Sequence, residues 1–174
     1  MAVLASGAEA STWSCKTGER LQVMHGHSDI VKYAVFSPDG YSVLTTSEDR
    51  TARLWNAETG NCIRTLPGHK DTIYMAAFSP DSRRVVTASE DNRALLWDLA
   101  DCSKPKILEG HEDAVSWAAF SPDGRFVVTS SWDETAKVWS TADDTASTFL
   151  QCLETLEGHA APVVFAEFSG SGMS

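Results

Sequence analysis

The amino-acid sequence predicts an all-β chain built from repeated four-stranded antiparallel sheets. A Gly-His pair recurs at Gly26-His27, Gly68-His69, Gly110-His111 and Gly158-His159, with steps of 42, 42 and 48 residues. Tryptophan keeps the 42-residue interval at Trp13, Trp55, Trp97 and Trp139, and the last three each follow a Gly-His histidine by 28 residues. Phe-Ser-Pro-Asp returns at Phe36, Phe78 and Phe120, nine residues after each histidine. Asp49, Asp91 and Asp133 stand six residues before a tryptophan, and Thr45, Thr87 and Thr129 four before each aspartate. Five markers in one register establish a tandem repeat, and a period near 40 residues filled by short strands marks repetitive all-β architecture.

Taken in chain order, the elements of one period read as four strands. Residues Ile30 to Phe36 are apolar and rich in strand formers, and they stop at Ser37-Pro38-Asp39-Gly40. There Pro pre-sets φ and Gly accepts φ > 0, which makes a tight reversal. Tyr41 to Thr46 is the second strand and Ser47 to Arg50 the next turn. Thr51 to Trp55 is the third, Asn56 to Gly60 turns again, and Cys62 to Leu66 is the fourth. No segment has the length and 3.6-residue period of a helix. Before the first full period, a shortened strand is expected at Val3 to Ser6, another around Trp13 and a third at Leu21 to Met24. After the last, Val163 to Phe168 reads as one more first strand, followed by Ser169-Gly170-Ser171-Gly172 where the turn sequence would stand. The divisions are therefore 1–25, an incomplete first unit; 26–67, 68–109 and 110–157, three repeats; and 158–174, the start of a further repeat. The third repeat carries a longer connection after Trp139, with Asp143-Asp144 in it, which reads as a solvated insertion.

The composition bounds the function. The chain has 174 residues, 43% hydrophobic and 22% charged, so it is no disordered tract. Fourteen Lys+Arg against 24 Asp+Glu give a formal charge of −10. Such a balance lacks the broad cationic surface that drives non-specific nucleic-acid or anionic-membrane binding, so neither is expected as a partner. No run approaches the roughly 20 apolar residues of a membrane helix. The first eleven residues carry no Lys or Arg, unlike a secretory signal. Cys15, Cys62, Cys102 and Cys152 lie far apart without a Cys-x-x-Cys pair, so zinc is unsupported. Reduced thiols in an intracellular protein, cytoplasmic or nuclear, are the simpler reading, although an even count leaves disulfides open.

Gly-His, Phe-Ser-Pro-Asp-Gly, the turn aspartate and Trp97-Asp98 together resemble WD repeats, the units of β-propeller blades. The resemblance runs from about residue 3 to about residue 170, and its motifs are specific to the fold rather than to any activity. The dipeptide departs to Trp13-Ser14, Trp55-Asn56 and Trp139-Ser140, and Ser82 replaces the turn glycine once. The resemblance implies a partial propeller of about four blades, in a family that usually closes rings of about seven. The chain then reads as a segment of a larger propeller. It could instead self-associate, two chains completing one ring, or close on itself by pairing the C-terminal strand with the N-terminal sheet.

His27/Thr45/Asp49/Trp55 recur as His69/Thr87/Asp91/Trp97 and His111/Thr129/Asp133/Trp139. A hydroxyl, an imidazole and a carboxylate suggest nucleophilic catalysis, but a catalytic set is built once and this one occurs three times. The resemblance implies instead that each set is a structural chain of hydrogen bonds within one blade. No phosphate loop or other catalytic motif is present, so no enzyme activity, cofactor or metal is expected. The implied role is a protein-interaction scaffold that docks proteins or peptides on the face carrying the Gly-His loops and the turns between second and third strands. The rival is a regulatory or sensor segment of a larger enzyme or ubiquitin-ligase-type complex. On that face the positions that vary between repeats are the candidates: Lys32, Arg50, Tyr74, Asn92, Arg93, Ser116, Trp132 and Glu134. Trp132 stands where the other repeats have Glu48 and Glu90, and Trp is a frequent interface anchor. It reads either as a contact surface or as a ring folded over its own blade. Asp29, Asp71 and Asp113 recur at one loop position, as caps or as contacts, and Tyr33, Met75, Trp117 and Phe165 repeat in register as core between blades.

Overall fold

The computed structural model describes residues 1–102, 104–142 and 147–170, so Asp143-Asp144 and Ser171-Gly172 lie outside the described residues. The described chain forms four antiparallel sheets in sequence order. The first holds β1 (Ala2–Ser6), β2 (Glu9–Trp13) and β3 (Arg20–Met24). The second holds β4 (Val31–Phe36), β5 (Ser42–Ser47), β6 (Thr51–Asn56) and β7 (Cys62–Pro67). The third holds β8 (Ile73–Phe78), β9 (Arg84–Ser89), β10 (Ala94–Asp98) and β11 (Lys106–Leu108). The fourth holds β12 (Val115–Phe120), β13 (Phe126–Ser131), β14 (Ala136–Ser140) and β15 (Cys152–Leu156). Each sheet is a meander, every strand pairing with its sequence neighbour. All four thiols are free, and among the described residues no helix is long and apolar enough to cross a membrane.

Burial follows strand position within a blade. Val43 to Ser47 of β5 are buried throughout, because a second strand is covered on both faces by adjacent blades. The fourth strand lies on the rim, and β7 buries only Leu66. Three apolar clusters fill the three spaces between successive sheets. Ala10 and Met24 meet Val43 and Trp55; Leu44 and Leu66 meet Ile73, Val85 and Trp97; Met75, Val86 and Leu108 meet Val115, Val127 and Trp139. Trp55, Trp97 and Trp139 thus each pack against the preceding blade, which is why the tryptophan recurs even where the following Asp does not.

The sheets pack in chain order, with β1 on β4, β4 and β5 on β8, and β8 and β9 on β12. Among the described residues no strand from the C-terminal end joins the first sheet, so these residues show no closure within one chain. Val163 to Phe168 is not in a strand ladder either, contrary to the expectation from its sequence. A first strand pairs only with the second strand of its own blade, and the described residues after Phe168 supply none. The segment still docks: Val163 N–H donates to Ser131 O at 2.9 Å, and Phe165 lies 4.8 Å from Trp117 between ring centroids. Tyr33 and Trp117 flank buried Met75 with their rings 6.4 Å apart, as inter-blade core, whereas Phe165 remains 52% exposed. The insertion after Trp139 is not free-standing at its far end, because Leu150 N–H donates to Ile107 O of β11 at 2.9 Å.

Two local devices position side chains on the loop face. The first is a β-bulge in every complete blade: the register shifts between Val31 and Tyr33, between Ile73 and Met75, and between Val115 and Trp117. The residues left unpaired are Lys32, Tyr74 and Ser116, and a bulge re-aims such a side chain without disturbing the strand behind it. The second is the turn between second and third strands, where Arg50, Asn92 and Glu134 hold φ of 66°, 67° and 68°.

Candidate interaction face

Under the loop face lie three copies of one hydrogen-bonded chain. In the second sheet, Trp55 Nε1–H donates to Thr45 Oγ1 at 2.8 Å, and His27 Nε2 lies 2.7 Å from the same oxygen. His27 Nδ1 lies 2.7 Å from Asp49 Oδ2. The third sheet repeats this with Trp97–Thr87 at 3.2 Å, His69–Thr87 at 2.8 Å and His69–Asp91 at 2.9 Å. The fourth repeats it with Trp139–Thr129 at 2.9 Å, and His111–Thr129 and His111–Asp133 both at 2.7 Å. The proton assignment follows from the end groups. An indole N–H can only donate and a carboxylate can only accept, so the Thr oxygen accepts from the tryptophan and Nδ1 carries a proton toward the aspartate. The carboxylate also accepts backbone N–H groups, from Ser28 at 3.0 Å and Thr51 at 3.0 Å for Asp49. Each chain therefore ties the loop before the first strand to the turn before the third.

In two of the copies the electrostatics favour a neutral imidazole. Burial pushes His27 and His111 below the ordinary imidazole value, outweighing the support of Asp49 and Asp133. For Asp49, burial opposes ionisation, but hydrogen bonds from Thr51, His27 and Ser28 outweigh it and leave the carboxyl below its usual range. Asp133 behaves alike and is brought to about 2 by Thr135, Glu112 and His111 acting against burial. A network with every member paired holds its strands in register. Nothing in it offers an accessible nucleophile: all three Thr hydroxyls are fully buried. In the first sheet the chain is absent, since Val3 and Gly7 occupy the Thr and Asp positions, and Trp13 Nε1–H donates instead to Ser11 Oγ at 2.8 Å. Sequence reasoning missed the threonines two residues past the aspartate, where Thr51 and Thr135 Oγ1–H donate to Asp49 at 2.6 Å and to Asp133 at 2.7 Å. Their repetition at Asp+2 was the available signal; Arg93 breaks it in the second repeat.

The candidate surface residues fall into two groups. Lys32 Nζ donates to Glu48 at 3.1 Å, and Arg93 Nη2 to Glu109 at 2.6 Å. Asn92 Nδ2 donates to Glu112 O at 3.2 Å, and Ser116 Oγ to Val163 O at 3.1 Å, while Arg50 and Glu134 are exposed at their turn positions. Asp29, Asp71 and Asp113 each accept the N–H of the following residue, at 2.8, 2.8 and 2.7 Å, in the manner of local caps.

The structure brings Tyr74 and Trp132 together. Trp132 sits at the turn following β13, and its ring stacks on that of Tyr74, the bulged residue of the preceding blade, with centroids 5.9 Å apart and planes 29° apart. It neither stands free nor folds over its own blade; it crosses to the neighbour and remains 43% exposed. The geometry explains the choice of partner. The bulge and turn positions of one blade face each other, Lys32 with Glu48 in the second sheet and Tyr74 with Glu90 in the third. In the fourth sheet the bulge position is Ser116, too short to cover an indole, so Trp132 turns to Tyr74.

No individual curated protein matches the chain. The family model for the WD domain, G-beta repeat, matches residues 18–56, 60–98 and 102–140. Each match begins near the last strand of one sheet and ends with the third strand of the next, so it spans the same inter-blade contacts that the tryptophans make. With more than half of its length matched in three tandem copies whose strands and repeated residues are those described above, the chain belongs to the WD domain, G-beta repeat family.

Proposed function

We propose that the chain is a non-enzymatic protein-interaction scaffold, docking peptide segments on the face of the Gly-His loops and second-to-third strand turns, with each repeat as one structural unit. The observation that carries this reading is the supported, half-exposed ring of Trp132. Two repeats place a glutamate at its position, and here an indole is held open to solvent on a rigid platform instead. An aromatic side chain already ordered by its neighbour loses little conformational entropy on contact, which is what makes Trp and Tyr effective interface anchors. The three polar chains beneath make the platform stiff, and WD-repeat proteins typically act as such scaffolds rather than as catalysts.

The test is selection from a random peptide library on the purified chain, followed by a counter-screen on Trp132→Ala. The expected result is a set of peptides that bind the natural chain and lose binding to the variant, at a melting temperature within about 2 °C of the natural one. A variant that melts far lower in proportion to its loss of binding would show Trp132 to be core.

A further inference from the structure

We infer that the segment docking at Trp132 is basic, and that it lays an arginine guanidinium on the open face of the indole within reach of the neighbouring carboxylates. The inference rests on the scaffold reading above and names the chemistry of its partner.

Three observations carry it. The first is the ring itself: one face of Trp132 stacks on Tyr74 and the residue is still 43% exposed, leaving indole surface for a second planar group. Indole is the best aromatic partner for a cation, and a guanidinium is planar enough to stack on it. The second is the surroundings of the pair. Glu90 faces the Tyr74 phenol, with Asp71 and Asp113 beside it; burial first, then these three carboxylates, push that phenol up to about 12. Negative charge gathered beside an aromatic platform favours a cation, disfavours an anion, and makes covering the site with a purely apolar group costly. The third is that two of the chain's own cations on this face are already engaged, Arg93 by Glu109 at 2.6 Å and Lys32 by Glu48 at 3.1 Å. The formal charge of −10 adds long-range attraction for the same kind of partner.

Arginine is preferred over lysine on geometry. Its fork can donate to a carboxylate while the plane lies on the ring, whereas an ammonium has no plane to stack and is more strongly hydrated.

The experiment uses three fluorescein-labelled peptides on one Gly-Ser frame, carrying arginines, lysines or glutamates, titrated onto the full chain by anisotropy. The Arg peptide is expected to bind tightest, the Lys peptide more weakly and the Glu peptide not at all. Trp132→Ala should weaken the Arg peptide about tenfold, and Glu90→Gln about threefold. Raising salt from about 50 to about 300 mM should weaken Arg and Lys peptides alike while keeping their order. Arg binding that ignores Trp132, or equal binding of all three peptides, would overturn the inference. Library peptides that depend on Trp132 but contain no Arg or Lys would also overturn it and leave the scaffold reading standing. The absence of any Trp132-dependent peptide would overturn the scaffold reading itself.

Discussion

Thr45 and Thr46 are consecutive residues of β5, both fully buried, and one methyl-for-hydroxyl replacement at each should have opposite consequences. The Thr45 hydroxyl bridges Trp55 Nε1 at 2.8 Å and His27 Nε2 at 2.7 Å. Thr45→Val keeps the shape and leaves a buried donor and a buried acceptor unpaired, each costing about 1–3 kcal/mol, part of which is offset because the hydroxyl itself no longer has to be desolvated. The net loss is about 2–4 kcal/mol, or a fall in melting temperature of about 5–12 °C for a chain of this length. The Thr46 hydroxyl has no hydrogen-bond partner among the described residues. Thr46→Val removes an unpaired polar group from the interior and should be neutral or stabilise by up to about 1 kcal/mol. Urea and thermal unfolding followed by circular dichroism would measure both, with hydrogen exchange of the β5 amides to localise the effect. Equal costs at the two positions would refute the reasoning, because they would mean that volume and not the polar chain sets the stability of the blade.

Three further outcomes follow from the same geometry. His27 and His111 are held below 6.5 and Asp49, Asp91 and Asp133 below 3.8, so the unfolded chain binds more protons than the folded one as pH falls. Stability should thus be full above pH 6.5, decline as pH drops through that value toward the depressed imidazole values, and decline again below 3.8; a melting temperature that rises from pH 7 to pH 5 would contradict it. Ser82 holds φ of 59° where the sister turns have Gly40 at 77° and Gly124 at 71°, so Ser82→Gly should raise stability by about 0.5–1 kcal/mol in urea titration, despite losing a 3.2 Å contact from the Asp39 amide. Arg84 Nη2–H donates to Gly124 O at 2.8 Å with its guanidinium over Phe120, so Arg84→Met should speed hydrogen exchange in β12 and β13 more than in β4 and β5.

Much of this was readable from spacing. The His, Thr, Asp and Trp of each repeat lie far apart in sequence yet recur together, and a buried polar set that recurs must be paired in each copy, whatever its role. The turn sequences located the strand ends to within a residue or two, as at Ser42 against an expected Tyr41 and Val31 against Ile30. The strand expected at Val163 to Phe168 does not form, because strand-forming residues establish a strand only when a neighbour completes its ladder, and the neighbour is not part of the local pattern. The Tyr74–Trp132 stack was illegible for a related reason. The sequence offers Trp132 its own blade or a free surface, and what decides its position is the short side chain at Ser116, which sends the ring to the blade before it.

A repeat limits where recognition can evolve. Substitutions in the polar chain leave buried groups unpaired, and substitutions at the tryptophans or their apolar neighbours open the space between blades. Two positions per blade escape both penalties: the bulged residue of the first strand and the residue before the turn aspartate. In the second and third sheets their side chains meet over the loop face, and none of the six residues at these positions belongs to an apolar cluster between sheets. The three complete blades fill the pair with Lys32 and Glu48, Tyr74 and Glu90, and Ser116 and Trp132, which run from a salt bridge through a phenol facing a carboxylate to an unmatched pair. Of these three pairs only the last leaves an aromatic ring without a cover from its own blade, so the same two positions that carry a salt bridge in one repeat carry a half-exposed indole in another.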